Sequence, residues 1–66
     1  MKLKQDGWEV EIKYTDAWET MLWTHELTRS QAIAAYDQYA AGGKRSYRRL
    51  KRKNEARCVK VYVEDK

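Results

Sequence analysis

The chain has 66 residues, of which 42% are hydrophobic, and it includes three Trp and five Tyr. A chain of this length can build only one core, and this composition excludes the hydrophobicity-poor class of disordered proteins. The net charge of +4 is unevenly spread, because residues 44–53 hold seven Lys and Arg and no acid, leaving seven cations and ten anions elsewhere. We therefore predict a single small α+β domain over residues 1–66 with one concentrated basic segment.

Membrane insertion and disulfide bonding are not expected. No apolar run approaches the roughly 20 residues that cross a bilayer, and the N-terminal lysines are not followed by the apolar segment of a signal peptide. The single cysteine, Cys58, permits no internal disulfide. These features predict a cytoplasmic protein without a membrane partner.

A hairpin of two strands is predicted first. After Gly7, the sequence WEVEIKY alternates apolar and charged residues, as a half-buried strand does. A polar turn at Thr15 and Asp16 leads into WETMLWTH, which is rich in strand-forming aromatic and β-branched residues. The two segments therefore predict an antiparallel pair.

The register of this hairpin depends on the length of its turn. A turn with an even number of residues places Met21 and Trp23 under a covering helix and leaves Trp18 and Leu22 on the other face, whereas an odd turn reverses the two sets. In either register, a tryptophan and a second large side chain face outward. Such exposed pairs are typical of binding surfaces; the alternative is that bulging or twist hides one tryptophan at the margin of the sheet.

The next segment changes to a helical period. Thr28 followed three residues later by Gln31 has the form of a capping box. Apolar residues then recur along one helical face: Ala32, Ile33, Ala35, Tyr36, Tyr39 and Ala40. The glycines at 42–43 are expected to end this helix.

The last segment, residues 57–64, is predicted to be a strand. Its sequence, RCVKVYVE, alternates valines with Cys58, Lys60 and Tyr62. If the valines face inward, Tyr62 joins the exposed side chains of the hairpin.

The basic segment admits two structures. As an edge strand over residues 45–55, it would pair with residues 57–64, and its cations would discourage aggregation. As a short helix capped by Ser46, it would bury Tyr47 and Leu50 at a spacing of three. Because neither face of a strand here would be apolar, only an exposed edge suits it, and we predict the edge strand. The predicted fold is a single antiparallel β-sheet of order β-β-α-β-β with one helix packed on one face.

No catalytic or metal site is predicted. His25 is the only histidine, no motif ties a serine or cysteine to it, and it is expected to be a surface residue. Glu9 and Glu11 are interpreted as solvated charges on the wet side of a strand. One Cys and one His fall short of a four-ligand zinc set. We expect no enzyme activity, cofactor or small-molecule substrate.

The candidate binding residues combine the basic segment with nearby apolar side chains. They are Lys44, Arg45, Tyr47, Arg48, Arg49, Lys51, Arg52, Lys53, Trp18 and Leu22. Clustered cations neutralise phosphates, and an aromatic ring can stack a base. The same cations can instead dock on the acidic surface of a protein, with the apolar side chains supplying lasting affinity. Both partners remain open, as do a monomer and a homodimer.

The succession of WEVEIKY, a short turn, WETMLWTH, ELTRSQAIAAYDQYAAGG and a closing strand resembles small uncharacterised bacteriophage proteins. Its element order is also similar to that of small phage inhibitors of host RNA polymerase. The resemblance covers roughly residues 8–64, and the basic insertion at 44–53 departs from those inhibitors. It implies a non-enzymatic protein of the host cytoplasm that blocks or redirects host machinery that handles nucleic acid. Direct nucleic-acid binding through residues 44–53 is the alternative.

Overall fold

A computed structural model describes residues 2–40 and 46–65, within which the chain forms three strands and two helices. In chain order they are β1 (Lys2–Tyr14), β2 (Ala17–Glu26), α1 (Arg29–Ala40), α2 (Tyr47–Arg52) and β3 (Ala56–Asp65). The strands form one antiparallel sheet in the order β2-β1-β3, with β1 in the centre. The predicted α+β class with a single antiparallel sheet is confirmed.

The hairpin of β1 and β2 closes with an even turn. Only Thr15 and Asp16 separate the strands, and Thr15 adopts a φ of 56°, as tight two-residue turns require. Val10 pairs with Met21, so that both side chains lie on the same face of the sheet. Trp18, an odd number of residues from Met21, lies on the opposite face.

β2 is irregular in its second half. Val10 of β1 pairs with Met21, and Trp8 pairs with Glu26. One residue of β1 therefore lies opposite four residues of β2, which gives β2 three extra residues. Thr24 is fully buried here, and its hydroxyl accepts a hydrogen bond from the Val10 N–H at 2.8 Å and donates one to the Met21 carbonyl at 2.6 Å. The alternation of side chains between the two faces of the sheet therefore ends at Met21. The faces on which later side chains of β2 lie cannot be read from a period of two.

β3 directs its valines away from the helices. Cys58 is opposite Val10, and Ala56 is opposite Ile12, so the helix side of β3 carries small side chains at these two positions. The valines lie on the other face, which has no helix over it within residues 2–40 and 46–65 and is called the open face below. Tyr62 lies on the helix side and therefore does not join Trp18 on the open face.

α1 begins where the capping pattern predicts. The Thr28 hydroxyl accepts a hydrogen bond from the Gln31 N–H at 3.2 Å. Ala32 and Tyr36 are buried against the sheet, as the helical period predicts. Tyr39, predicted to lie on the same face, is instead exposed at the margin of the helix.

Within the basic segment, Tyr47–Arg52 form α2, where an edge strand over residues 45–55 was predicted. Tyr47 and Leu50 are 5% and 6% exposed, because the helical spacing of three turns both toward the sheet. Burial of these two side chains removes apolar area that an edge strand would leave in water. The Ser46 hydroxyl accepts a hydrogen bond from the Arg49 N–H at 3.4 Å and caps the first turn. The element order is therefore β-β-α-α-β, which corrects the predicted β-β-α-β-β.

α2 ends in a Schellman motif that leads directly into β3. The Glu55 N–H donates to the Leu50 carbonyl at 2.8 Å, and the Asn54 N–H donates to the Lys51 carbonyl at 2.9 Å. Asn54 adopts a φ of 61°, the left-handed conformation that this motif needs and that asparagine tolerates. The chain thus reverses from helix to strand within three residues.

One core joins the helices to the sheet. Its buried members are Val10, Ile12, Ala32, Tyr36, Tyr47, Leu50 and Ala56. Because both helices contribute to this cluster, both lie on the same face of the sheet. The predicted covering of one face is correct, but two helices provide it.

Candidate functional site

α2 presents a surface made only of cations. Its exposed side chains, together with the residue that follows the helix, are Arg48, Arg49, Lys51, Arg52 and Lys53. We call these five residues the basic surface. A helix of six residues is not stable alone, so Tyr47 and Leu50 hold it in place through the core.

The basic surface has no carboxylate partner in the part of the chain that the structure describes. There, the ion pairs to carboxylates are made by His25 and Arg57. Asp37, in α1, is engaged with the start of α2, because its carboxylate accepts a hydrogen bond from the Tyr47 N–H at 2.8 Å. The Lys51 ammonium lies 5.9 Å from the centroid of the Tyr47 ring. The charge of the basic surface is therefore not neutralised by these neighbours.

Tyr47 is not a surface residue. Its ring lies in the core, and burial raises the pKa of its hydroxyl. A buried ring cannot stack on a base from outside, so this predicted contact is corrected. Lys44 and Arg45, like the predicted helix end at residues 42–43, lie outside the described residues.

Trp18 and Leu22 lie away from the basic surface. Both belong to β2, whereas α2 packs over β3 at the other edge of the sheet. The Trp18 ring is on the open face, where the Arg57 guanidinium covers it at 4.0 Å from the centroid. Leu22 is 72% exposed. The structure thus separates the predicted cations from the predicted apolar contacts.

The open face carries a polar network that links all three strands. The Glu11 carboxylate, in the central strand, accepts hydrogen bonds from Arg57 Nε of β3 at 2.5 Å and from the Thr20 hydroxyl of β2 at 3.1 Å. Arg57 in turn stacks on Trp18. Glu11 is largely shielded from solvent, so the interpretation of this carboxylate as a freely solvated charge is wrong.

His25 lies between two carboxylates. Its Nδ1 is 2.8 Å from Glu9 Oε2, and its Nε2 is 3.1 Å from Asp6 Oδ2. The hydrogen bond with Glu9 is the main cause that raises the pKa of His25, and the charge of Asp6 adds to it. Gly7 leaves room for the ring, since a Cβ there would approach His25 Nε2 to 3.0 Å and the Glu26 carbonyl to 2.5 Å.

This arrangement stabilises the imidazolium form and engages both ring nitrogens. An imidazole in that state is a poor general base.

Among residues 2–40 and 46–65, no group of three or more His, Cys, Asp or Glu side chains could hold a metal ion. Burial raises the pKa of the Cys58 thiol, so that it stays protonated near neutral pH and serves as a packing residue. The only sequence signal for the polar contacts of Glu9 and Glu11 was their alternation along a strand that faces a second predicted strand.

An aromatic cluster lies where β2 meets α1. The rings of Trp23 and Tyr36 are stacked with centroids 6.0 Å apart, and the Tyr39 ring is tilted against Trp23 at 4.8 Å. Trp23 is 49% exposed and Tyr39 is 76% exposed. Tyr39 was predicted on the covered face of the helix, and Trp23 was predicted under the helix only for the even turn that the structure shows, so this cluster is an apolar surface that sequence reasoning missed.

No protein family, curated protein or solved structure is significantly similar to this chain. Within the described ranges, neither helix is long and apolar enough to span a membrane.

Proposed function

We propose that this protein is a non-enzymatic binding protein that holds nucleic acid through the basic surface of α2. The observation that supports this function is the exposure of five cations that have no carboxylate partner in the described part of the chain. Cations arranged in this way neutralise phosphates and release the counterions that surround them. That release supplies affinity that does not depend on sequence.

The composition of the basic surface favours phosphate over an acidic protein. Lasting affinity between proteins depends on buried aromatic or aliphatic anchors near the centre of the interface. With Tyr47 in the core and Trp18 across the sheet, α2 offers no such anchor. Contacts to a nucleic-acid backbone need only well-placed cations.

A second candidate function follows from the exposed aromatic cluster. Trp23 and Tyr39, with the exposed Leu22 in the same strand as Trp23, are the kind of side chains that anchor a protein partner. In this function, the protein acts as the resemblance to small phage proteins implies, and it blocks or redirects host machinery in the host cytoplasm. The basic surface then speeds encounter with an acidic partner.

Salt dependence tests the nucleic-acid function. Fluorescence anisotropy with a labelled duplex DNA, a single-stranded DNA and an RNA hairpin measures affinity between about 0.05 and 0.2 M salt. If four of the five cations contact phosphates of a duplex, the affinity falls about 100-fold over this range. The absence of binding at the lower salt concentration would contradict the proposal. Binding to a protein partner would then remain as the candidate function.

A pair of matched variants localises the contact. Arg48→Gln with Arg49→Gln removes two charges from α2, and Lys2→Gln with Lys4→Gln removes two from β1. Gln at position 49 stands three residues after the Ser46 cap, a pattern that favours the helix start. The α2 variant lowers the slope of log affinity against log salt by about two, and the β1 variant leaves it unchanged. Equal slopes in the two variants would show that the net charge of the protein, and not the basic surface, determines the salt dependence of binding.

A further inference from the structure

β3 is the uninterrupted edge of the sheet. Its ten residues pair with β1, and no other strand within residues 2–40 and 46–65 lies against it. β2, at the other edge, is disrupted by its irregularity after Met21. A long regular edge leaves a row of N–H and C=O groups that another strand can bond.

The hydrogen bonds of the sheet tell which backbone groups of β3 face outward. The Lys13 N–H donates to the Glu55 carbonyl at 2.8 Å, and this contact extends the pairing of Ile12 with Ala56 by one residue. Residue 55 therefore directs its backbone groups toward β1. In an antiparallel pair these directions alternate, so the even-numbered residues of β3 direct theirs away from the sheet. Near the end of β3, the outward groups belong to Lys60, Tyr62 and Glu64.

We propose that two copies of the protein pair in antiparallel fashion along β3, with Tyr62 on the twofold axis, and form a continuous sheet of six strands. In this register, Lys60 of each copy is directly opposite Glu64 of the other. Val61 is opposite Val63 on the open face, and the two Tyr62 rings are adjacent. Opposite charges, β-branched pairs and aromatic pairs are the cross-strand combinations that stabilise sheets. About six main-chain hydrogen bonds join the two copies.

Charge distinguishes this register from its neighbours. Centring the pair on Lys60 places the two ammonium groups directly opposite each other, which is unfavourable. Centring it on Val61 places Lys60 opposite Tyr62 and leaves Glu64 opposite Cys58. In the single chain, the Lys60 ammonium has the Trp8 ring at 5.7 Å as a neighbour and, within the described residues, no carboxylate. Only the register centred on Tyr62 gives both charges a direct partner.

The two basic surfaces do not oppose this pairing. α2 lies at the start of β3, where its last turn is bonded to Glu55. Six residues separate Ala56 from the axis at Tyr62, so the two α2 helices are on the order of 40 Å apart along the strands. They also lie on the same side of the joined sheet. The dimer does not depend on nucleic-acid binding, but it would place two basic surfaces on one side.

A charge swap tests the dimer and its register without nucleic acid. Sedimentation equilibrium from about 5 to 500 µM measures the dissociation constant. Lys60→Glu and Glu64→Lys each place like charges opposite each other and raise this constant about tenfold. The double variant, with both substitutions, restores the opposite charges and returns the constant to near the wild-type value. Both side chains are exposed, so circular dichroism is expected to show an unchanged fold in all three variants.

Other results overturn the proposal. A protein that stays monomeric throughout the concentration range has no such dimer. A dimer that neither single variant weakens, or that the double variant does not restore, uses another surface or register.

Oxidative cross-linking provides a second measurement in a Cys58→Ser background, where Cys at position 62 forms a disulfide across the axis faster than Cys at position 61. The reverse order of rates would contradict the register centred on Tyr62.

Discussion

His25 fastens the irregular end of β2 to the central strand, since its two nitrogens contact carboxylates of Glu9 and Asp6 in β1. These contacts favour the protonated ring and raise the pKa of His25 above its ordinary value of 6.5. The attachment of this end of β2 to β1 therefore depends on the charge of His25.

We expect the protein to lose stability as the pH rises from 6 to 8. A histidine whose pKa is raised by folding adds stability that is fully present below its unfolded pKa of about 6.5 and is lost as the pH rises through the folded pKa. The measurement is the thermal unfolding midpoint at pH 6, 7 and 8. Because His25 is the only histidine, His25→Gln should flatten this dependence. An equally steep decline in the variant would assign it to another group.

At the scale of elements, α2 is the part of the fold that depends most on its neighbours. It has six residues, four of them basic, and its apolar contribution comes from Tyr47 and Leu50. Isolated helices shorter than about 12 residues are marginal in water, so burial and the two caps decide whether α2 forms. The basic surface exists because the core holds the helix that carries it.

Leu50→Ala is expected to lower the free energy of unfolding by about 2–5 kcal/mol, because it removes a buried side chain and leaves a cavity under α2. Lys51→Ala, on the exposed side of the same helix, should change it by less than about 0.5 kcal/mol. Urea denaturation followed by tryptophan fluorescence measures both. Similar losses in the two variants would indicate that α2 does not pack on the sheet as described.

At the scale of the whole molecule, the acids of the central strand and the cations of α2 have different environments. Asp6, Glu9 and Glu11 have cationic partners on the open face. The cations of α2, in contrast, repel one another at spacings of three and four, which destabilises the helix by a few tenths of a kcal/mol per pair. The proposed binding surface therefore lowers the stability of the molecule that carries it.

Arg48→Glu with Arg49→Glu should therefore raise the free energy of unfolding by about 1 kcal/mol at low salt, because it replaces repulsion by attraction within α2. The gain should shrink in about 1 M salt, where the screening length is about 3 Å. Thermal denaturation at both salt concentrations provides the measurement. A less stable variant at low salt would show that Arg48 or Arg49 has a stabilising partner.

Much of the fold was predictable from local patterns. Alternation predicted residues 8–14 of β1 and residues 57–64 of β3, the turn at Thr15 and Asp16 predicted the hairpin, and Thr28 predicted the start of α1; β1 itself extends back to Lys2, beyond the predicted strand. These signals concern residues a few positions apart, and the chain needs no distant contact to satisfy them. The exposure of Arg48 and its basic neighbours was equally predictable, because ammonium and guanidinium groups remain hydrated unless they are paired.

By itself, the sequence determined the α+β class, one antiparallel sheet and the exposure of the cations that α2 carries. The tertiary structure decided that Tyr47–Arg52 form a helix, because Tyr47 and Leu50 gain more from the core than from an edge. It also decided that Trp18 faces away from that helix and that His25 meets two carboxylates. These outcomes depend on which distant residues become neighbours, and the spacing of residues along a strand or helix does not contain that information.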